Sequence, residues 1–200
     1  MEKAILKLFL NNHRMKFSDI EKFLKIRSNK LAYHIKSLIK KGMLEKNENF
    51  YKLPDSKEYL IPYLTNKKSV LPVILIAIKN SDGIFLVERN KRPFKGKFGL
   101  PGGRIILGET VPKATERIMK KKFGAECKFK KINSISMEFV KNGERTIHSF
   151  LLIFVTAETK EKIKCIDFEK NRSRIISSDY YLIKNDIGRK IRLNNLITKS

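Results

Sequence analysis

GLPGGRIILGETVPKATERIMKKKFGA, Gly99–Ala125, is the stretch whose reading decides the fold. Gly102 and Gly103 permit a tight turn or a close backbone approach to a ligand. Thr110 is placed to cap a helix, and Pro112 suits a first helical turn. Ala114, Ile118 and Met119 recur near helical spacing, and Gly124 reads as the stop. The spacing therefore predicts a glycine loop followed by a helix that buries one face.

Working outward, Ser69–Ile78 is a β-branched, strand-like run. Asn80–Gly83 is a turn, and Ile84–Glu88 is expected to return as a hairpin with the first strand. Cys127–Phe139, Thr146–Thr156 and Ile175–Ile183 are expected to be further strands, and Asp186–Ile197 a closing helix. Toward the N-terminus, Leu53–Asn66 carries Pro54 and Pro62 and reads as a linker. A short helix over Asp55–Leu64 is expected there, packing on the first domain or assisting dimerisation, with Tyr59, Leu60 and Leu64 as candidate exposed dimer contacts.

Residues 1–66 have a different rhythm. Glu2–Asn11 predicts a first helix with Ile5, Leu8 and Phe9 on one side. Ser18 is expected to cap a second helix through Leu24, and Ser28 a third through about Lys41. Leu31, Ile35, Leu38 and Ile39 make the apolar stripe of the third helix. Met43–Leu53 alternates about a polar tip and predicts a hairpin. Ser28, Asn29, Lys30, Tyr33, Lys36, Ser37 and Lys40 fall away from the stripe, and Lys46 lies on the hairpin. Such a set offers ammonium groups to phosphates and Asn or Tyr to base edges; a plain solvated face gives the same pattern. His34, at the stripe's border, fits a packing or phosphate-contact role better than metal ligation.

The 200 residues are 42% hydrophobic and 32% charged, a globular composition, and the net charge is +24. An excess of that size favours polyanionic partners, although a Lys-rich surface alone also accounts for it. No apolar run reaches membrane-spanning length, so no membrane partner is expected. Cys127 and Cys165 match no metal spacing and read as buried thiols of a reducing cytoplasm.

Gly103, Glu109, Arg117, Met119, Gly124 and Ala125 fit the spacing of the Nudix signature, and RPFKGKFGLPGG, Arg92–Gly103, resembles the family's approach to that loop. The resemblance implies an αβα sandwich with a mixed sheet over residues 67–200. Three positions depart from it. Where the family carries Glu on one helix face to hold magnesium or manganese, this chain has Ile118, Lys121 and Lys122. Glu109 and Glu116 alone remain in the segment, and Glu169 sits where some members place a further acidic residue. Hard divalent cations take oxygen ligands, which Ile and Lys cannot supply. Catalytic residues, metal ligands and a resident cofactor are therefore not expected, and Mg2+ belongs only to a hydrolase reading. Arg89, Lys97, Gly102, Gly103, Arg104, Lys121 and Lys122 are the candidate ligand-binding residues.

Three short helices followed by a hairpin, with SNKLAYHIKSLIKKGMLEKNENFYKL at their end, resemble a winged helix-turn-helix domain over residues 1–66. Together the two resemblances imply a two-domain α/β (α+β) protein. They point to a cytoplasmic, homodimeric DNA-binding regulator whose Nudix-like domain senses a nucleotide derivative such as ADP-ribose or serves as a dimerisation scaffold. The alternative is a metal-dependent Nudix hydrolase of nucleoside diphosphate derivatives with an appended nucleic-acid module.

Overall fold

The computed structural model describes residues 1–64, 69–92, 94–193 and 195. The chain divides into two compact units, Met1–Ser69 and Val70–Ser200. The boundary expected at 66/67 lies outside the described residues.

The first unit contains α1 (Glu2–Leu8), β1 (Met15–Lys16), α2 (Phe17–Leu24), α3 (Ser28–Lys40), β2 (Glu45–Asn47) and β3 (Phe50–Lys52). The strands form an antiparallel sheet in the order β1-β3-β2. Leu31, Ile35 and Leu38 of α3 pack with Ile5, Ile20 and Leu44 in one core. Their i, i+4, i+7 spacing is the core-facing stripe of a helix. Ile39 departs from expectation and is 39% exposed; one position past Leu38, it has rotated off the stripe. Ser18 does not cap α2. Lys16 takes the N-cap position, and its backbone N–H donates to the Asp19 carboxylate. Arg27, not Ser28, occupies the N-cap position of α3. A 3-10 helix, Asp55–Tyr63, follows. Leu64 is not the exposed dimer contact that the linker suggests; it is buried in this unit's core.

The second unit contains β4 (Leu71–Ala77), β5 (Lys79–Asn80), β6 (Gly83–Ile84), β7 (Val87–Glu88), β8 (Phe98–Gly99), β9 (Gly102–Arg104), α4 (Val111–Phe123), β10 (Lys128–Asn142), β11 (Arg145–Glu158) and α5 (Ser177–Asp186). Its principal sheet has the order β10-β11-β4-β9. It is mixed, since β4 runs parallel to β11 and antiparallel to β9. Alternation along β4 and β11 divides the core. Ile74, Ile76, Ile153 and Val155 pack with Ala114, Ile118 and Met119 of α4. Leu75, Ala77, Leu152 and Phe154 pack with Leu182 and Ile183 of α5. A mixed sheet between two helical layers results.

Two expectations fail here and one holds in part. The hairpin of Ile84–Glu88 with Ser69–Ile78 forms only at its tip: Lys79 pairs with Ile84, Asn80 with Gly83, and the Phe85 N–H donates to the Ile78 carbonyl at 2.9 Å. Beyond it β7 pairs with β8. Ile84 also exchanges two backbone hydrogen bonds of 3.0 and 2.9 Å with Ile166. Gly83 permits this approach at φ +136, where a Cβ would lie 2.1 Å from the Ile166 carbonyl oxygen. Ile175–Ile183 is not a strand. From Ser177 it is α5, which buries Leu182, Ile183 and Asp186 on the side of Asp179. The expected helix over Asp186–Ile197 is absent among the described residues. Gly188 lies at φ +96, and Ile191 makes a single bridge to Ile132. Positions 194 and 196–197 lie outside the described residues.

Candidate functional site

The glycine stretch is a strand rather than a turn. Gly102 sits so close to β4 that a Cβ would stand 2.6 Å from the Ile74 carbonyl oxygen, and a Cβ on Gly103 would stand 3.0 Å from Ile118 Cγ1. The glycines therefore serve close packing of β9 against β4 and α4. α4 begins and ends as the sequence requires, with Thr110 at the N-cap position, Pro112 in the first turn and Gly124 left-handed at φ +67.

The three substituted signature positions do different things. Ile118 is fully buried under the sheet. The Lys122 ammonium reaches back over β9 and donates to the Gly102 carbonyl at 2.8 Å. Desolvation first, then the neighbouring charges of Arg117, Arg89, Lys91 and Arg104, hold the Lys122 pKa below its ordinary value. Lys121 is exposed. It does not line the cavity described below, and its charge is felt instead by Glu109.

Glu109 is fully engaged by protein groups. Arg117 donates to both its oxygens, from Nη2 at 2.8 Å and from Nε, and the Ile106 N–H donates at 3.2 Å. The Arg117 hydrogen bond is the main cause holding the Glu109 carboxyl below the usual carboxylate range. Glu116 is exposed, and Glu169 accepts the Tyr180 hydroxyl at 2.6 Å. Among the described residues no three His, Cys, Asp or Glu side chains form a group able to hold a metal ion. The donor set at the helix, an apolar side chain, two ammonium groups and one Arg-paired carboxylate, does not fit the divalent cation that the Nudix resemblance implies.

A cavity of about 210 Å³ opens between β9, the sheet and α5. Val73, Leu75, Phe150 and Leu152 form an apolar wall, while Arg89, Arg104 and Lys122 add cations. Of the expected ligand residues, Arg89, Gly102, Gly103, Arg104 and Lys122 therefore come together. Lys97 lies in an adjoining groove, with its ammonium on the Ser173 carbonyl at 2.7 Å.

The carboxylates of this cavity escaped the sequence reading. Asp179, only 5% exposed, accepts the Leu100 N–H at 2.7 Å. Its pKa is pushed up to about 7, by burial first and by Glu138, against the pull of the Leu100 N–H and Arg89. Near neutrality it can thus present either a hydroxyl or a carboxylate to a ligand. Glu138 is held by the Ser178 hydroxyl. The available signal was Ser177-Ser178-Asp179, three residues typical of a helix start, which the strand assignment obscured.

On the first unit, Asn29, Lys30, Tyr33, Lys36, Lys40 and Lys46 are exposed, with Tyr33 71% exposed. Ser37 leaves the candidate face, because it is half-buried and donates to Glu2 at 2.8 Å. The Ser28 hydroxyl is bonded to Glu21. His34 Nδ1 is buried without a partner, which agrees with a packing position.

A mixed sheet between helices, with a cavity between a glycine strand and a helix that is lined by Arg89, Arg104 and Lys122 and by Glu138 and Asp179, defines an α+β domain. The chain belongs to the NUDIX family, whose domain pattern matches residues 69–178. Over 55 residues, 28% of this chain, it is 42% identical to the ADP-ribose pyrophosphatase of Methanocaldococcus jannaschii. Over 62 residues, 30% of the chain, it is 34% identical to the 8-oxo-dGDP phosphatase NUDT18 of Homo sapiens. The matched stretches span 32% and 19% of those proteins' lengths. The NUDIX domain of Shewanella oneidensis NrtR, solved with ADP ribose, is similar in structure at a TM-score of 0.47 and 17% identity, covering 62% of this chain and 93% of that one.

Proposed function

We propose that the chain is a DNA-binding regulator whose NUDIX domain binds a nucleoside diphosphate derivative through lysine and arginine rather than through a metal. The observation that carries this reading is Lys122. Its ammonium reaches over the glycine strand to the Gly102 carbonyl, and desolvation and the charges of Arg117, Arg89 and Arg104 lower its pKa although the residue stays exposed. Guanidinium and ammonium groups placed together in this way hold phosphate directly. The first unit supports the other half of the proposal. Its three helices and small sheet suit a winged helix-turn-helix, with α3 presenting Asn29, Lys30, Tyr33, Lys36 and Lys40 to the major groove and Lys46 to the backbone. A homodimer matches a palindromic operator.

The second reading is a metal-dependent hydrolase. The names of the two curated relatives favour it more directly than they favour a regulator. The donor set at α4 opposes it. Calorimetry with ADP and ADP-ribose in EDTA, on the wild-type protein and on Lys122→Glu, tests the proposal. Binding in EDTA that the substitution abolishes is the expected result. Turnover with magnesium, stopped by EDTA, would establish the hydrolase.

A further inference from the structure

A second cavity, of about 310 Å³, lies at the first turn of α4, the opposite end of that helix from Lys122. Its volume is within the roughly 300–1,000 Å³ usual for a small-molecule site. Among the described residues it shares no lining side chain with the cavity beside β9. Its Val111 and Ile132 belong to the core on the α4 side of the sheet, whereas Leu75 and Leu152 of the first cavity belong to the α5 side.

The outer wall is the segment that follows α5. The chain turns at Gly188 and lies against β10. There the Ile191 N–H donates to the Ile132 carbonyl at 3.0 Å, and the Lys131 ammonium donates to the Gly188 carbonyl at 2.8 Å. Residues 190–193 of this wall alternate cationic and apolar side chains, and all four line the cavity. Ile191 and Leu193 remain 39% and 44% exposed, so the segment does not close over its own apolar groups. With Val111 and Phe129 they form an apolar floor.

The cations around this floor are not all engaged. Lys130 pairs with Glu158 at 2.8 Å, and Lys131 is held by Gly188. Lys190 and Arg192 are exposed and, among the described residues, make no hydrogen bond or ion pair. No described Asp or Glu lines the cavity. A neutral apolar molecule would leave the two cations without a counter-charge. A bare phosphate, or the backbone of a nucleic acid, would leave the apolar floor in water.

We infer that this cavity binds an amphipathic anion, a molecule with one apolar body and one carboxylate or phosphate head. The body lies on Val111, Phe129, Ile191 and Leu193, and the head lies between Lys190 and Arg192. The occupant also fastens residues 188–193 to β10. This site stands apart from the phosphate-binding reading of the first cavity and does not depend on it.

The test is a titration of the full-length protein followed by two-dimensional NMR. Octanoate and octyl phosphate are the probes, and acetate, inorganic phosphate and octanol are the controls. Affinity is read from the amide shifts of Ile132 and Ile191, so binding in the first cavity does not enter. Both octyl anions should bind at least about tenfold more tightly than any control. The tighter of the two identifies the head. Lys190→Glu with Arg192→Glu should weaken octanoate at least about tenfold, and Ile191→Ser should weaken it without reversing charge. Lys160→Glu with Lys162→Glu, an equal change of net charge at exposed positions outside the cavity, should leave its affinity unchanged. Equal losses in the two charge-reversed pairs would reduce the effect to net charge and overturn the site. Octanol binding as tightly as octanoate would overturn it, as would inorganic phosphate binding as tightly as octyl phosphate. So would shifts spread over the lysine surface, or no shift at Ile191 with either octyl anion.

Discussion

Replacing Asp179 by Asn tests how the buried end of the cavity is held. In the folded protein the Asp179 pKa rises from 3.8 to about 7, mainly through burial. The folded state therefore binds the proton more strongly than the unfolded state. Stability falls as pH rises through this window, because the unfolded chain ionises first. Treated as a single group with those two values, Asp179 makes the second unit about 2–3 kcal/mol less stable at pH 8 than at pH 5. The amide introduced by Asp179→Asn would keep an oxygen to accept the Leu100 N–H while removing the charge. The assay is native-state hydrogen exchange of the slowest amides in β4 and β11, which reports the opening of this unit by itself. The wild-type protein should lose protection between pH 5 and pH 8, after correction for intrinsic exchange, and Asp179→Asn should lose about 2–3 kcal/mol less. Equal losses in the two proteins would refute the reasoning and show that Asp179 is not the group that titrates.

Gly102→Ala places a Cβ within 2.6 Å of the Ile74 carbonyl oxygen, so it should destabilise the second unit by more than about 2 kcal/mol, read as a melting temperature lower by several degrees. Arg117→Ala leaves Glu109, whose side chain is 9% exposed, without its counter-ion and should cost about 2–4 kcal/mol at pH 7. Because Arg117 holds the Glu109 pKa below 4.5, the wild-type contribution is complete above that value and fades as pH falls, and an acid titration of stability should show this loss flattened in the variant. Lys36→Ala with Lys40→Ala should weaken duplex DNA binding and reduce the slope of log K against log salt by about 2 in filter-binding measurements. An unchanged slope would move the DNA face elsewhere.

The loop-helix element was legible in the sequence because its punctuation and its burial agree. Thr110, Pro112 and Gly124 mark the ends, and Ala114, Ile118 and Met119 are all fully buried. In α3 the burial was legible in Leu31, Ile35 and Leu38, while Ile39 and the cap expected at Ser28 were misplaced by one position. What could not be read depends on tertiary partners. Ile175–Ile183 carries enough β-branched and aromatic residues to pass for a strand, and packing of Leu182 and Ile183 on the sheet, with the Ser177-Ser178-Asp179 start, favours the helix. With that helix went Asp179, whose perturbed ionisation arises from burial and from Glu138, 41 positions earlier. Lys121 and Lys122 look alike in sequence and both are exposed, yet Lys122 spans to Gly102 and lines the cavity while Lys121 does not. Side-chain reach separated them, and periodicity carries no record of that.

The placement of β4 also has a consequence during synthesis. Leu71 and Ala77 stand opposite Phe150 and Thr156 in the parallel pairing with β11, so each residue waits for a partner 79 positions downstream. At roughly 5–20 residues per second a ribosome needs about 4–16 s to deliver it. Through that interval the apolar run Leu71–Ala77 is without its main neighbour. The first unit, whose core lies within Met1–Ser69, can already be folded by then. A nascent chain halted between β4 and β11 would therefore carry a completed first unit joined to a sticky, unpaired strand. That is the point in the life of this protein at which chaperone capture or aggregation competes most strongly with folding.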